Sequence, residues 1–163
     1  MEQNVQEMSY GQLLDELDHC EKDSDAEFEV YKKLVELCEK EIGELEEDSF
    51  ENLQDNGDMI REIPDFLDNY VAPMDNLARI YMERKEYEKA LPLLERALPV
   101  YRTLEINDSN YTYQRYYALD LLVECLKQLG HKTLSILYGY ELKHLKLYCV
   151  ESKRKCKPFD ADG

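Results

Sequence analysis

Two Glu-x2-His pairs, Glu16–His19 and Glu141–His144, have the residue types and spacing that come closest to a reactive centre. At i, i+3 on a helix the two side chains of a pair could share a metal ion. Helical bundles with carboxylate-bridged di-metal centres use two such pairs, plus a Glu from each of two other helices. The neighbouring leucines argue against that here. Leu13, Leu14 and Leu17 define the face that must be buried around the first pair, and Glu16 falls away from it. Leu142 and Leu145 push the second pair toward the flank of its helix. In a chain with 36 acidic residues, chance pairs are expected. His19-Cys20 has no second ligand pair at zinc spacing. No Ser or Cys has a recognisable base beside it, and the six glycines are too scattered for a phosphate-cradling loop. The reading is that there is no enzyme here: no catalytic residue, no metal and no cofactor.

The elements that carry these residues come next. The chain has 163 residues, 44% of them hydrophobic, which suits one globular domain with its own core. No apolar run reaches the roughly 18 residues of a membrane span. MEQNVQEMSY lacks a basic stretch followed by an apolar one, so no secretory signal is expected. The five cysteines, Cys20, Cys38, Cys125, Cys149 and Cys156, lack paired spacing, as expected of thiols in a reducing cytoplasm. The net charge of −16 is unevenly spread: residues 1–72 hold about 23 acids against 5 bases, whereas residues 73–163 are nearly balanced. Neither nucleic acid nor an anionic membrane is expected as a partner.

Helical periodicity dominates. Ser9-x2-Gln12 and Ser24-x2-Glu27 are capping boxes in front of apolar stripes, so residues 9–21 and 25–47 read as a helix pair. Residues 48–58 are a polar linker with a turn at Asn56-Gly57. Ile60, Ile63, Phe66, Leu67 and Tyr70 form a short helical pattern, and Ala72-Pro73 either begins the next helix or interrupts a longer one. Thr103–Asn110 reads as a loop with Asn107, Asp108 or Ser109 as cap. Helices then run over about 111–129 and 132–149, separated by Gly130-His131. Residues 150–163, with Lys153-Arg154-Lys155-Cys156-Lys157, read as a disordered tail. Thirteen tyrosines and no tryptophan are an unusual balance, and Tyr111, Tyr113, Tyr116 and Tyr117 cluster at one helix start. Tyrosine packs its ring and still offers a hydroxyl, so it serves both helix packing and peptide contact.

The most informative stretch is residues 73–101. Leu77, Ala78, Ile80 and Tyr81 share one helical face before a polar break at 83–86. Tyr87, Ala90, Leu91, Leu94, Ala97 and Leu98 share one after it. The small residues Ala78, Ala90 and Ala97 would let two helices approach closely. The pattern Met74-x2-Leu77-Ala78-x2-Tyr81, then Ala90-x3-Leu94 with Ala97, resembles a tetratricopeptide repeat. Asn76-Leu77-Ala78 and Ala90-Leu91-Pro92-Leu93 resemble the kinesin-light-chain variety. Three positions depart from the pattern: Met74 stands for Trp, Lys85 for the turn Gly, and Pro99 comes early. Weaker copies can be laid on residues 9–47 and 111–149.

The fold this implies is all-α, an irregular array of stacked antiparallel helix pairs with about six or seven helices, forming a single domain over 1–149. The resemblance further implies a protein-interaction module, an adaptor or small regulatory subunit that binds a peptide or partner protein. In such repeats the first helix of each pair lines the concave face, so the partner-binding candidates are Asn76, Arg79 and Met82, then Tyr117, Asp120, Glu124 and Lys127. Asp75 and Leu121 occupy places where chaperone-binding members carry their carboxylate clamp, so chaperone tails are not expected. The alternative is a small acidic immunity or inhibitor protein that masks a basic partner. A helical metal-binding enzyme stands behind both.

Overall fold

The computed structural model describes residues 4–49, 63–107 and 109–151, with side chains over 4–40, 71–105 and 109–148. The expected turn at Asn56-Gly57, Ile60 and the Cys156 tail lie outside the described residues. Those residues form six α-helices and no strand: α1 (Tyr10–Leu17), α2 (Asp25–Ser49), α3 (Ile63–Glu83), α4 (Tyr87–Asn107), α5 (Thr112–Gln128) and α6 (Lys132–Glu151). The all-α expectation is thus met. The chain divides into two compact units, Met1–Ile80 and Tyr81–Gly163.

In the first unit a 3-10 turn at Val5–Glu7 leads into α1. The Ser9 capping box forms as the sequence indicates. The Gln12 N–H donates to Ser9 Oγ and the Ser9 N–H to Gln12 Oε1, which satisfies backbone donors at the helix start that have no partner inside the helix. Leu13, Val30 and Leu34 are fully buried between α1 and α2, with Val5, Met8, Tyr10, Leu17, Cys20, Tyr31 and Leu37 around them. The second box closes differently. Ser24 Oγ accepts from the Glu27 N–H at 3.1 Å, but the Glu27 carboxylate reaches one residue further back, to the Asp23 N–H at 2.7 Å. Asp23 sits at φ +62°, the left-handed region. An Asp is tolerated there because its short polar side chain can bond locally.

The question left open at Ala72-Pro73 is resolved: α3 is one helix with Pro73 inside it. An internal proline removes a backbone donor and clashes with the preceding turn, at a cost of about 3 kcal/mol. Val71, Met74, Leu77, Ala78 and Ile80 are all buried, and that burial offsets the defect.

The second unit is built from α4, α5 and α6 with the turns between them. α4 packs on α5, and α5 on α6. The expected loop from Thr103 is instead helical as far as Asn107, so α4 runs through both Pro92 and Pro99. Tyr101 and Leu104, beyond the second proline, are buried at 2% and 1% exposure. Thr103 Oγ1 donates to the Pro99 carbonyl at 3.0 Å. The apolar stripe therefore outlasts the breaker. A 3-10 turn at Ser109–Tyr111 then starts α5, whose first residue bonds backward: Thr112 Oγ1 donates to the Ser109 carbonyl and to Glu105. The α5 N-cap position is Tyr111, with no side-chain cap bond; of the expected caps, Asp108 lies outside the described residues.

Candidate functional site

α5 presents two opposed faces. Ala118, Leu119, Leu122, Cys125 and Leu126 are buried. On the other side, residues three or four apart stack Tyr113, Tyr116, Tyr117, Asp120, Glu124 and Lys127, half-buried at the tyrosines and exposed from Asp120 onward. Tyr117, Asp120, Glu124 and Lys127 are four of the seven candidates read from sequence, and they share this face as their spacing requires. Tyr113 and Tyr116, on the same strip, were not among the candidates. The i, i+4 relation of Tyr113 to Tyr117, and of Tyr116 to Asp120, was the available signal.

The charges on this strip interact. Partial burial pushes the Asp120 carboxyl above its usual range, and the like charge of Glu124 adds to the effect; Lys127 and Lys146 pull the other way. The Tyr116 phenol is pushed up as well, first by burial and then by Asp120. The strip thus offers aromatic rings at one end and an electrostatically crowded carboxylate pair at the other. Rings give contact area at small entropic cost, and crowded carboxylates favour an approaching cation.

The remaining candidates have other surroundings. Asn76 is half-exposed in the first unit, and its side-chain amide donates to the Ala72 carbonyl at 2.9 Å, one helical turn back. Arg79, in the same unit, holds Asp23 at 2.9 Å and approaches Glu27 at 3.7 Å. Its guanidinium therefore ties α3 to the start of α2. Met82, in the second unit, is half-buried.

The two Glu-x2-His pairs have ordinary roles. The His19 ring donates from Nδ1 to the Asp15 carbonyl at 2.7 Å. Glu141 accepts from Arg102 Nε at 3.1 Å and from the same guanidinium a second time, with Arg115 at 3.8 Å. Arg115 also pairs with Glu105. Four charged residues from α4, α5 and α6 thus neutralise one another where the three helices meet. Their separations in sequence follow no period, so spacing could not reveal them. Among the described residues no group of three or more His, Cys, Asp or Glu is placed to hold a metal, and no helix is long and apolar enough to cross a membrane.

The turns after α3 and after α5 are built alike. After α3, the Glu86 N–H reaches back to the Tyr81 carbonyl at 2.8 Å and the Lys85 N–H to Met82 at 3.0 Å. After α5, the His131 N–H reaches Leu126 at 2.9 Å and the Gly130 N–H reaches Lys127 at 3.1 Å. Both are Schellman closures with one left-handed residue, Lys85 at φ +61° and Gly130 at φ +78°.

Residues 74–105, about a fifth of the chain, match the family model of a tetratricopeptide repeat. The match overlaps the stretch read from sequence and extends past it into the final turns of α4. Neither a curated protein nor a solved structure matches the chain.

Proposed function

We propose that this chain is an adaptor or small regulatory subunit that holds a partner peptide on the exposed face of α5; the reading rests on the match of residues 74–105 to a tetratricopeptide repeat, a unit that generally serves protein–protein interaction. The observation that carries this reading is the strip Tyr113, Tyr116, Tyr117, Asp120, Glu124 and Lys127: contiguous, aromatic at one end, charged at the other, and opposite a fully apolar buried face. A first helix of a repeat pair is also the element that lines the binding face in the family the sequence resembles. Support for treating α5 and α6 as a second pair comes from their mutual packing and glycine turn. Asp120 and Glu124 favour a peptide that carries Lys or Arg, because a cation relieves their mutual repulsion. Met82, which lies in the same unit as α5, is proposed to extend the surface. Arg79 acts within the first unit through its ion pairs, so its removal should lower stability.

The test is a partner isolated on immobilised full chain, identified by mass spectrometry and titrated as purified material. Asp120→Lys/Glu124→Lys should weaken binding at least tenfold and Tyr116→Ala/Tyr117→Ala to a similar extent. Unchanged affinity in both double variants, with helical circular dichroism intact, would reject the α5 face.

A further inference from the structure

α6 carries a second apolar face that its packing against α5 does not use. Ser135 and Leu145 are buried on the α5 side. Ile136, Leu137 and Tyr140 are 59%, 59% and 60% exposed, and Leu147 and Tyr148 are each 50% exposed. At 100° per residue these five fall within roughly a third of the helix circumference, opposite the buried side, with exposed Thr133 and His144 among them. They run along the helix for about 18 Å, from the 1.5 Å rise per residue. Exposed Lys132 and Lys143 line one edge of the stripe, with Lys146 just behind them. The only acid on the opposite edge between Ile136 and Tyr148, Glu141, already serves Arg102 and Arg115. Stacked helix arrays stay soluble when the end helix is polar on its outer side. α6 is the reverse, with large apolar side chains outward and a basic border.

We propose that the outward face of α6 docks an acidic amphipathic helix of a partner protein, with apolar residues on Ile136, Leu137, Tyr140 and Leu147 and carboxylates opposite Lys132 and Lys143. Shape and charge select this occupant. The stripe is straight and one helix wide, which suits the helix-on-face mode of recognition. The border is of one sign, so the docked helix needs the other. A second copy fits poorly. Two α6 helices paired antiparallel about a two-fold axis set their lysine borders side by side, and like charges there oppose association. Residues 152–163 of the chain bring four more bases and one Phe, which is the wrong charge. The net charge of −16 is concentrated in residues 1–72, and a screening length of about 8 Å leaves the local lysines to decide. This surface is formed by other residues than the α5 strip, although Lys146 behind its border feels Asp120, so either proposal can fail without the other.

The experiment uses the full chain and two fluorescein-labelled synthetic helices with the same Leu/Ala stripe. One has Glu at every flanking position and the other has Lys. In anisotropy titrations the Glu helix should bind at least tenfold tighter than the Lys helix, and the difference should shrink as salt is raised. Ile136→Asp/Leu137→Asp should abolish binding. Lys132→Glu/Lys143→Glu should reverse the preference. All these positions are solvent-exposed, so melting temperature should stay within a few degrees. Equal affinity for the two helices, or indifference to Ile136→Asp/Leu137→Asp, would overturn the proposal. So would a concentration-dependent dimer in sedimentation that the same double variant abolishes, since a second copy would then be the occupant. Flotation of the chain with phosphatidylserine vesicles, lost in that variant, would assign the face to a lipid surface instead.

Discussion

α4 and α6 are nearly the same length, and each follows a Schellman turn, yet they are buried very differently. α4 hides Ala90, Leu93, Leu94, Ala97, Leu98, Tyr101 and Leu104. α6 hides Leu145 and Ser135 and exposes six large apolar side chains. Composition does not separate them: α6 is, if anything, richer in large apolar residues. The difference lies in how wide an arc of each helix is covered. The broad covered stripe of α4 holds a helix together through two internal prolines. The narrow stripe of α6 has no such reserve. Apolar content in a helix therefore measures how much surface could be covered, and only neighbours decide how much is.

The largest expected effect tests that contrast directly. Leu94, fully buried in α4, should lose about 2–5 kcal/mol of stability on Leu94→Ala, because the removed methyl groups leave a cavity. Leu137→Ala on α6 should stay within about 0.5 kcal/mol, as surface substitutions do. Urea unfolding of both variants measures the difference. Comparable losses would mean that the outer face of α6 is covered in solution by something intrinsic to the chain.

Next in size is a pH effect centred on Cys125, whose Sγ contacts the Tyr87 carbonyl at 3.2 Å. Burial, then the charge of Glu95, pushes its thiol up to about 11 from 9.0. A raised pKa means the fold favours the neutral thiol. Its stabilising contribution is whole below about pH 9 and disappears as pH rises toward 11. The expected loss across that window is about 2 kcal/mol, and Cys125→Ala should remove that share of the pH dependence. Cys125 should also resist alkylation at pH 8 under native conditions while the half-buried Cys20 reacts. A Cys125 that is alkylated as fast as Cys20 would show that α5 lifts readily from α4.

These contrasts explain what could be read in advance. The 73–101 stretch was legible because its signature is local: a small residue, a large one and a tyrosine at fixed offsets, all within one helix pair. The α1 capping box was legible for the same reason. The α4 terminus was misread because a proline weighs heavily in a local reading, while the burial of Tyr101 and Leu104 that overrides it depends on helices elsewhere in the chain. The Arg102–Glu105–Arg115–Glu141 cluster and the Arg79–Asp23 pair were beyond reach for the same reason. Ion pairs between helices obey no sequence period. The four α5 candidates share one face because a single helix places them all.

The two turns give a smaller effect of opposite sign. Gly130→Ala adds a Cβ at φ +78°. Although the space around that Cβ is open, the left-handed backbone itself should cost about 1 kcal/mol. Lys85→Gly relieves the same strain at φ +61° but adds chain freedom to the unfolded state, so the net gain should be at most about 1 kcal/mol. Thermal melts of the two variants should shift in opposite directions. A destabilising Lys85→Gly would mean that the Lys85 side chain does more for the turn than its backbone strain costs.

The smallest expected effect is a gain, and it lies on α6. Gly139 is inside that helix, half-exposed, with no positive φ and no heavy atom within 4 Å of where its Cβ would be. Nothing in the geometry asks for glycine. The helix loses backbone freedom there without gaining a side chain, a cost of about 0.8–1 kcal/mol relative to alanine. Gly139→Ala should therefore stabilise the second unit by about 0.5–1 kcal/mol, seen as a melting temperature a few degrees higher with no change in the shape of the helical spectrum. Gly139 lies between the lysine border and the α5 side of the helix, one residue before Tyr140. If a partner helix settles on the outer stripe, a single added methyl beside it should leave binding of the Glu-flanked helix within about twofold. A Gly139→Ala chain that is more stable yet binds that helix more than tenfold more weakly would mean that α6 must bend or open there to accept it, and the rigid-face picture of its outer stripe would fall.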